Sequence, residues 1–544
     1  MRLIRLIALC VAAVFLLSGC FYTKIFDTLM EAKEYGVSPS GIEGMPYTRP
    51  DVDILLLAAE TVTKAAEADT DFDTLLDAVW TFEDLCIDYI TNYNLSDILY
   101  SMDLTDTYWE EEYNFCMDNV PKVEQAQEQV YRALARSQHR DALEADDYFG
   151  VGFFEAYDGE LLYDDHFLSL LEAEASLQTQ YYDLCEEADP ADSSYYRVYA
   201  PKMAQLYVDM VALRQEIAAY AGYPSFAHYA YETYYGRDYT PEESEIYLEA
   251  MGEALVPVFY SLCAADDWGF SYGYCTESTA FSYVRRAATA MGGTVSDAFE
   301  QMDQYKLYDI SYRPNKYEAS FEIFLPSYSV PFIFVNPSLD IRDPLTFAHE
   351  FGHFANDYAC GGSYCGIDVA EVHSQAFEYL SLCYGENTEE LTNYKMVDSL
   401  SSYIQCTAHA LFELEVYQLT GDDLTVENVL KIQESVGSRF AFDMLAWDSW
   451  DFVGITHFYT NPMYMISYVV SNDLAMQIYQ RELEVPGDGL ALYENILYAN
   501  ESRILTFAQE YGLDSPFTPG RPKALAMFFR EAFGAKLSGN ISAA

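Results

Sequence analysis

The sequence predicts a mainly α fold with a small β-sheet, on three observations. From Asp51 onward most segments repeat apolar residues at helical spacing, as in VDILLLAAETVTKAAEA, FDTLLDAVWTFEDLCIDYI, KVEQAQEQVYRALARSQ and MAQLYVDMVALRQEIAAYA. Hydrophobic residues make up 51% of the 544 and aromatics 16%, enough for a large core and too many for a disordered chain. One stretch, FEIFLPSYSVPFIFVN at 321–336, reads instead as β: it is rich in β-branched and aromatic residues, and Pro326 and Pro331 confine it to an edge strand or bulge that could hold an extended peptide by main-chain hydrogen bonds, the alternative being a purely structural hairpin.

The chain opens with Arg2 and Arg5 ahead of an apolar run, Leu6–Leu17, too short to span a bilayer and suited to a secretory signal. The run ends in Leu17-Ser18-Gly19-Cys20, which resembles a bacterial lipoprotein lipobox. That resemblance implies a signal peptide over 1–19 and lipidation of Cys20, with two acyl chains giving stable anchoring at the extracytoplasmic face of the membrane. Residues 20–48, with Gly36, Gly41, Gly44, Pro39 and Pro46, read as a tether, and no later stretch reads as a membrane span. A soft boundary after the ADPADSS turn divides an N-terminal helical region, 49–195, from a second region, 196–544.

The chain carries 29 Lys and Arg against 87 Asp and Glu, a formal charge of −58. Such a surface repels nucleic acid and anionic lipid, so membrane attachment must come from the lipid anchor, and cationic peptides would be drawn in. Of 11 cysteines, Cys10 leaves with the signal and Cys20 takes the lipid, so an odd number remains. Cys263 with Cys275, and Cys360 with Cys365, are close enough in sequence to pair, and no cysteine pair has the spacing of a structural zinc site.

The second region holds the chemistry. His349, Glu350, Phe351, Gly352 and His353 spell HEFGH. Two histidines four apart share one helical face and can grip one metal ion, and the glutamate between them is placed to take a proton from a water that the metal activates. A third histidine ligand at 359 is excluded, because Ala359 and Asn356 occupy the positions of the longer HExxHxxGxxH pattern. A carboxylate on a following helix is the alternative. Gly361, Gly362 and Gly366 end the first helix, and Asp368 is suited to cap the next. Glu371 lies in the first turn of that helix and is the expected third ligand. Glu378, two turns along the same face, is expected to orient a ligand histidine. Asp357 and Asp368 are weaker ligand candidates, and His373 reads as structural or as a rim residue.

Near the C-terminus, HFYTNPMYMISY places His457 ahead of Tyr464 and Tyr468, the tyrosines one helical turn apart. Pro462 argues that His457 comes from a preceding loop. Hydrolysis of a peptide passes through an oxyanion, and a positioned Tyr O–H or His N–H is a donor for it.

HEFGH followed by EVHSQAFE resembles the thimet oligopeptidase and oligoendopeptidase F family of zinc metallopeptidases, which pairs HExxH with a later Glu-x-x-Ser. LRQEIAAYAGYPSFAHYAYETYYGRDYTPEE, at 213–243, and the His457–Tyr468 cluster resemble the family as well. There are departures: only 17 residues separate His353 from Glu371, Asn356 stands where many members have His, and Ile466 replaces a Tyr common in the oligoendopeptidase F branch. The resemblance implies one large helical body with a deep substrate groove, a single Zn²⁺ held by His349, His353 and Glu371, and Glu350 as general base. It implies His457, Tyr464 and Tyr468 as supports for oxyanion or substrate. The implied activity is endopeptidase cleavage of short unstructured peptides. A peptide-binding lipoprotein on a peptidase scaffold and a zinc carboxypeptidase are the alternatives.

Overall fold

The computed structural model describes residues 41–534, apart from 69, 146–148, 151, 159–164, 189–194, 265–267, 363–364, 387, 446 and 500. The expected signal, Cys20 and most of the tether lie outside the described residues.

Local sequence starts the helices. Asp51, Asp71 and Asp106 each accept a backbone N–H of the helix that follows, capping Val52–Glu67, Phe72–Met102 and Thr107–Ala135. Thr240 and Glu243 form a reciprocal capping box at the start of Pro241–Cys263. That last helix is long and apolar enough to cross a membrane by composition, which the sequence reading did not anticipate. Its Tyr247, Leu248, Met251, Leu255 and Leu262 are instead buried in the protein core, against helices Glu389–Val416 and Arg521–Ala532.

Two expected boundaries shift. Ile42 and Met45 are buried, and Tyr47 and Arg49 bond the Glu112 carboxylate, so residues 41–48 belong to the body and not to a tether. The apolar core runs from Ile42 to Phe533, and helices Asp165–Glu187 and Ala200–Tyr220 pack on each other across the soft boundary at 195. A single shared core gives no break in packing there.

The β element is a three-stranded sheet in the order β1–β3–β2, with β1 Tyr308–Asp309, β2 Phe321–Leu325 and β3 Val330–Phe334. The stretch read as β is thus a hairpin, β2 antiparallel to β3, with β3 central and Pro331 inside it. The N–H groups of Ile333 and Val335 donate to Leu307 and Asp309 on the β1 side. Pro331 faces the same side two residues earlier, and because β1 runs parallel to β3 it has not yet begun at that level, so the missing donor costs no ladder bond. Asn94 Nδ2 donates to the Phe324 carbonyl (2.7 Å) and Thr91 meets Ser327 (2.9 Å), fastening the N-terminal helices to this sheet.

Cys263 and Cys275 are free thiols, and Cys365 donates to Asn356 Oδ1 (3.5 Å), so neither cysteine pairing suggested by spacing is formed.

Burial also leaves a titration signature. Glu83 is buried, accepts from Tyr131 O–H (3.0 Å), and has its pKa pushed up by burial to about 7. The folded chain therefore binds this proton more tightly than the unfolded chain, so the Glu83 contribution falls as pH rises from the usual carboxylate range through about 7. Glu83→Gln is expected to raise Tm at pH 8 by roughly 2–4 °C and to leave it unchanged near pH 4. Thermal unfolding at the two pH values checks this.

Candidate metal centre and active site

Helix Asp343–Cys360 carries HEFGH and ends on Gly361, which takes the left-handed conformation (φ 71°) that a residue with a side chain adopts only under strain. The second helix, Ile367–Tyr384, starts after Gly366. The short link lets the two helices pack directly, and Gly352 makes that possible. A Cβ on Gly352 would lie 2.5 Å from Ser374 Cα and 2.8 Å from the His373 carbonyl oxygen. Gly352→Ala must push the helices apart. The expected cost is about 1–3 kcal/mol of stability and roughly tenfold in metal affinity, measured by thermal unfolding and chelator competition.

This packing brings His349, His353 and Glu371 together, with ligand atoms all within 4.8 Å of one another. His349 Nδ1 meets Glu378 Oε1 at 2.8 Å, which leaves Nε2 facing Glu371 Oε2 at 3.4 Å. Glu378 is held in turn by the buried Lys395 ammonium (2.7 Å). Glu371 accepts from Ser374 Oγ (3.3 Å) and from Tyr464 O–H (3.2 Å). Two imidazoles and a carboxylate are a donor set that suits zinc, and three protein ligands leave room for a reacting molecule.

The electrostatics fit a site built for a cation. Burial disfavours the His349 imidazolium, but the Glu378 hydrogen bond and the charges of Glu371, Glu378 and Glu350 outweigh it and push the pKa up to about 9. Burial raises Glu350 to about 7, with His349 opposing and Glu371 and Glu378 adding to the rise. His353 is depressed by burial and by the neighbouring histidines. A divalent cation here would favour the charged form of every one of these acids. Glu350, Glu371 and Tyr464 are buried, whereas His349, His353, His457 and Tyr468 are only half-buried, so the cluster is open on the side that bears the histidines.

The C-terminal residues converge on the same place. His457 belongs to a one-turn helix, Thr456–Thr460, and not to a loop; Pro462 falls in the turn after it, and Tyr464 leads into helix Met465–Glu484. Ring centroids are 5.1 Å apart for His457 and Tyr464, 6.1 Å for His457 and Tyr468, and 5.0 Å for Tyr464 and Tyr468. Burial lowers the His457 pKa to about 4, so the ring is neutral at pH 7 and can donate one N–H.

The other acids and the histidine weighed from sequence lie outside the cluster. Asp368 does not cap its helix: it is buried, accepts from Tyr239 O–H (2.8 Å) and lies 3.5 Å from Arg237 Nε. Asp357 lies outside the metal cluster, pushed up by burial to about 7. His373 is wholly buried on the far side, where its Nε2 meets the Ile496 carbonyl at 2.9 Å. Tyr493, Ile496 and Leu497 close this back face: Tyr493 O–H donates to the His373 carbonyl (3.2 Å) and Asn356 Nδ2 to the Leu497 carbonyl (2.9 Å). A Cβ on Gly366 would lie 2.0 Å from the Ser502 carbonyl oxygen. Lys395 and Gly352 were not singled out from sequence as functional; a glycine inside a metal-binding helix was the one available signal, and nothing near Lys395 marks it.

Comparison with known proteins agrees with this arrangement. Residues 42–158 match the Peptidase M3 N-terminal domain. No curated protein matches the sequence. An oligoendopeptidase F structure aligns over 92% of this chain and 100% of its own, at a TM-score of 0.78 and 18% identity. Oligoendopeptidase F from Bacillus anthracis aligns over 94% and 99%, at 0.73 and 19%. PZ peptidase A in complex with an inhibitor aligns over 91% and 99%, at 0.77 and 17%. At these identities the likeness is one of fold, and it covers nearly the whole length of every partner. A domain match in the N-terminal region and a shared fold across the chain point the same way: residues 42–158 are similar to the N-terminal domain of M3 peptidases, and the whole chain has the fold of the oligoendopeptidase F structures.

Proposed function

We propose that the protein is a zinc-dependent endopeptidase of short, unstructured peptides, exported and anchored to the membrane through lipid on Cys20. The observation that carries the reading is the convergence of His349, His353 and Glu371 around the buried Glu350, with His457, Tyr464 and Tyr468 grouped beside them. Bound by the three ligands, zinc would supply a Lewis acid that activates water and polarises the scissile carbonyl. Glu350 takes a proton from the attacking water and delivers it to the leaving amine as the C–N bond breaks. His457 N–H and Tyr468 O–H are the donors for the oxyanion that develops on the carbonyl. Tyr464 holds Glu371 in line through its hydroxyl.

The test incubates the full chain in detergent with mass-coded peptides of graded length, with zinc and with a chelator. Internal cuts that vanish with the chelator support the reading and define the length limit. Stepwise loss of C-terminal residues would replace it with a carboxypeptidase. Metal bound without cleavage would replace it with a peptide-binding protein.

A further inference from the structure

The stretch at 213–243 supplies no metal ligand and no group among the reacting residues, yet it is one of the segments that stands out in the sequence. Two of its side chains, Arg214 and Tyr235, bond one short piece of backbone. Arg214 is wholly buried. Its Nη1 donates to the Phe458 carbonyl (2.8 Å) and its Nη2 to the Tyr459 carbonyl (2.5 Å), while Glu174 balances its charge (2.6 Å). Tyr235 O–H donates to the Pro462 carbonyl (2.8 Å). From helix Glu389–Val416, the buried Glu413 accepts the N–H of Met463 (2.8 Å). Met463 is held at φ 68°, a left-handed conformation that a side chain disfavours and that needs surrounding contacts to persist. Arg237 donates to Ser467 Oγ (2.9 Å) and lies 3.5 Å from Asp368, three residues before Glu371, so it spans the Tyr468 helix and the Glu371 helix.

We infer that Arg214, Tyr235, Arg237 and Glu413 form a brace of positioning residues that sets His457, Tyr464 and Tyr468 against the metal centre. The inference rests on the peptidase reading given above. The carbonyls of residues 458, 459 and 462 and the N–H of 463 are the backbone between His457 and Tyr464, and each is bonded to a side chain from elsewhere in the chain. A buried arginine is costly unless its charge and donors are satisfied, and here two of its bonds go to carbonyls of this segment and the others to Glu174 and the Tyr417 hydroxyl. Displacement of a catalytic donor by about 1 Å is enough to slow a reaction by up to 100-fold, so rigidity in this turn bears on rate and not on metal affinity.

Tyr235→Phe removes one hydroxyl and leaves the ring in place. It is expected to lower kcat about tenfold with KM within about twofold and bound metal unchanged. Glu413→Leu should behave likewise, while Glu413→Gln, which keeps an acceptor for the Met463 N–H, should restore kcat to within about threefold. Because the brace acts through the residues it positions, the Tyr235→Phe loss should shrink to less than about twofold in a His457→Ala, Tyr464→Phe background. A full tenfold loss in that background, or metal loss in proportion to activity, overturns the inference. If the parent chain cuts no peptide, the peptidase reading fails, and the brace is then tested by amide exchange. Faster exchange at 457–464 in Tyr235→Phe supports it, and unchanged protection overturns it.

Discussion

Glu350→Gln is expected to reduce peptide cleavage by about 10³-fold or more while the metal stays bound at the parent level. The carboxylate lies one residue from the first ligand histidine, buried between the two metal-bearing helices, and it donates nothing to the His349–His353–Glu371 set. Glutamine keeps the volume and polarity but cannot accept and return a proton. The expected signature is a fall in kcat and kcat/KM together with KM little changed, because the lost interaction exists only in the transition state. Steady-state cleavage of one internally cut peptide, paired with metal analysis of the same samples, checks it. Retention of more than a tenth of the parent rate would move the base to another residue.

The second large effect is at the metal. Glu371→Leu removes the only carboxylate among the three clustered ligands and with it the acceptor to which Tyr464 O–H donates. Metal affinity is expected to fall by at least about 100-fold, and activity with it at trace metal. Part of the activity should return at high zinc, which separates this variant from Glu350→Gln. Competition against a chelator of known affinity reads the change. Unaltered competition would mean that Glu371 is not a ligand and that another acid near the cluster, Glu378 above all, fills the place.

The parts of this site that were legible from sequence are those whose partners are close along a helix. His349 and His353 are one turn apart, Glu371 and Glu378 two turns apart, and the glycines between the helices mark where the chain must reverse. Periodicity at 3.6 residues decides such placements without knowledge of the rest of the fold. Asp368 shows the limit: an acid near a helix start reads as a cap, but Tyr239 and Arg237, some 130 residues away in sequence, claim it instead. Lys395, Arg214 and Glu413 were invisible for the same reason, since a single buried charge leaves no local pattern and is explained only by what tertiary packing sets beside it. Pro331 was read as confining its strand to an edge or bulge, and the structure instead sets it in the central strand, a placement that depends on β1 being two residues long, which no signal within 321–336 reveals.

The closure of the back face by Tyr493, Ile496 and Leu497 has a consequence for the order of folding. Both metal-bearing helices rest on Tyr493, Ile496 and Leu497, 120 or more positions further along the chain, so the centre is finished only when that later segment has docked. Non-local contacts of this kind form late, after the cost of closing the intervening loops has been met. Assembly of the His349–His353–Glu371 cluster is thereby tied to a long-range closure, and the HEFGH motif alone does not make the centre.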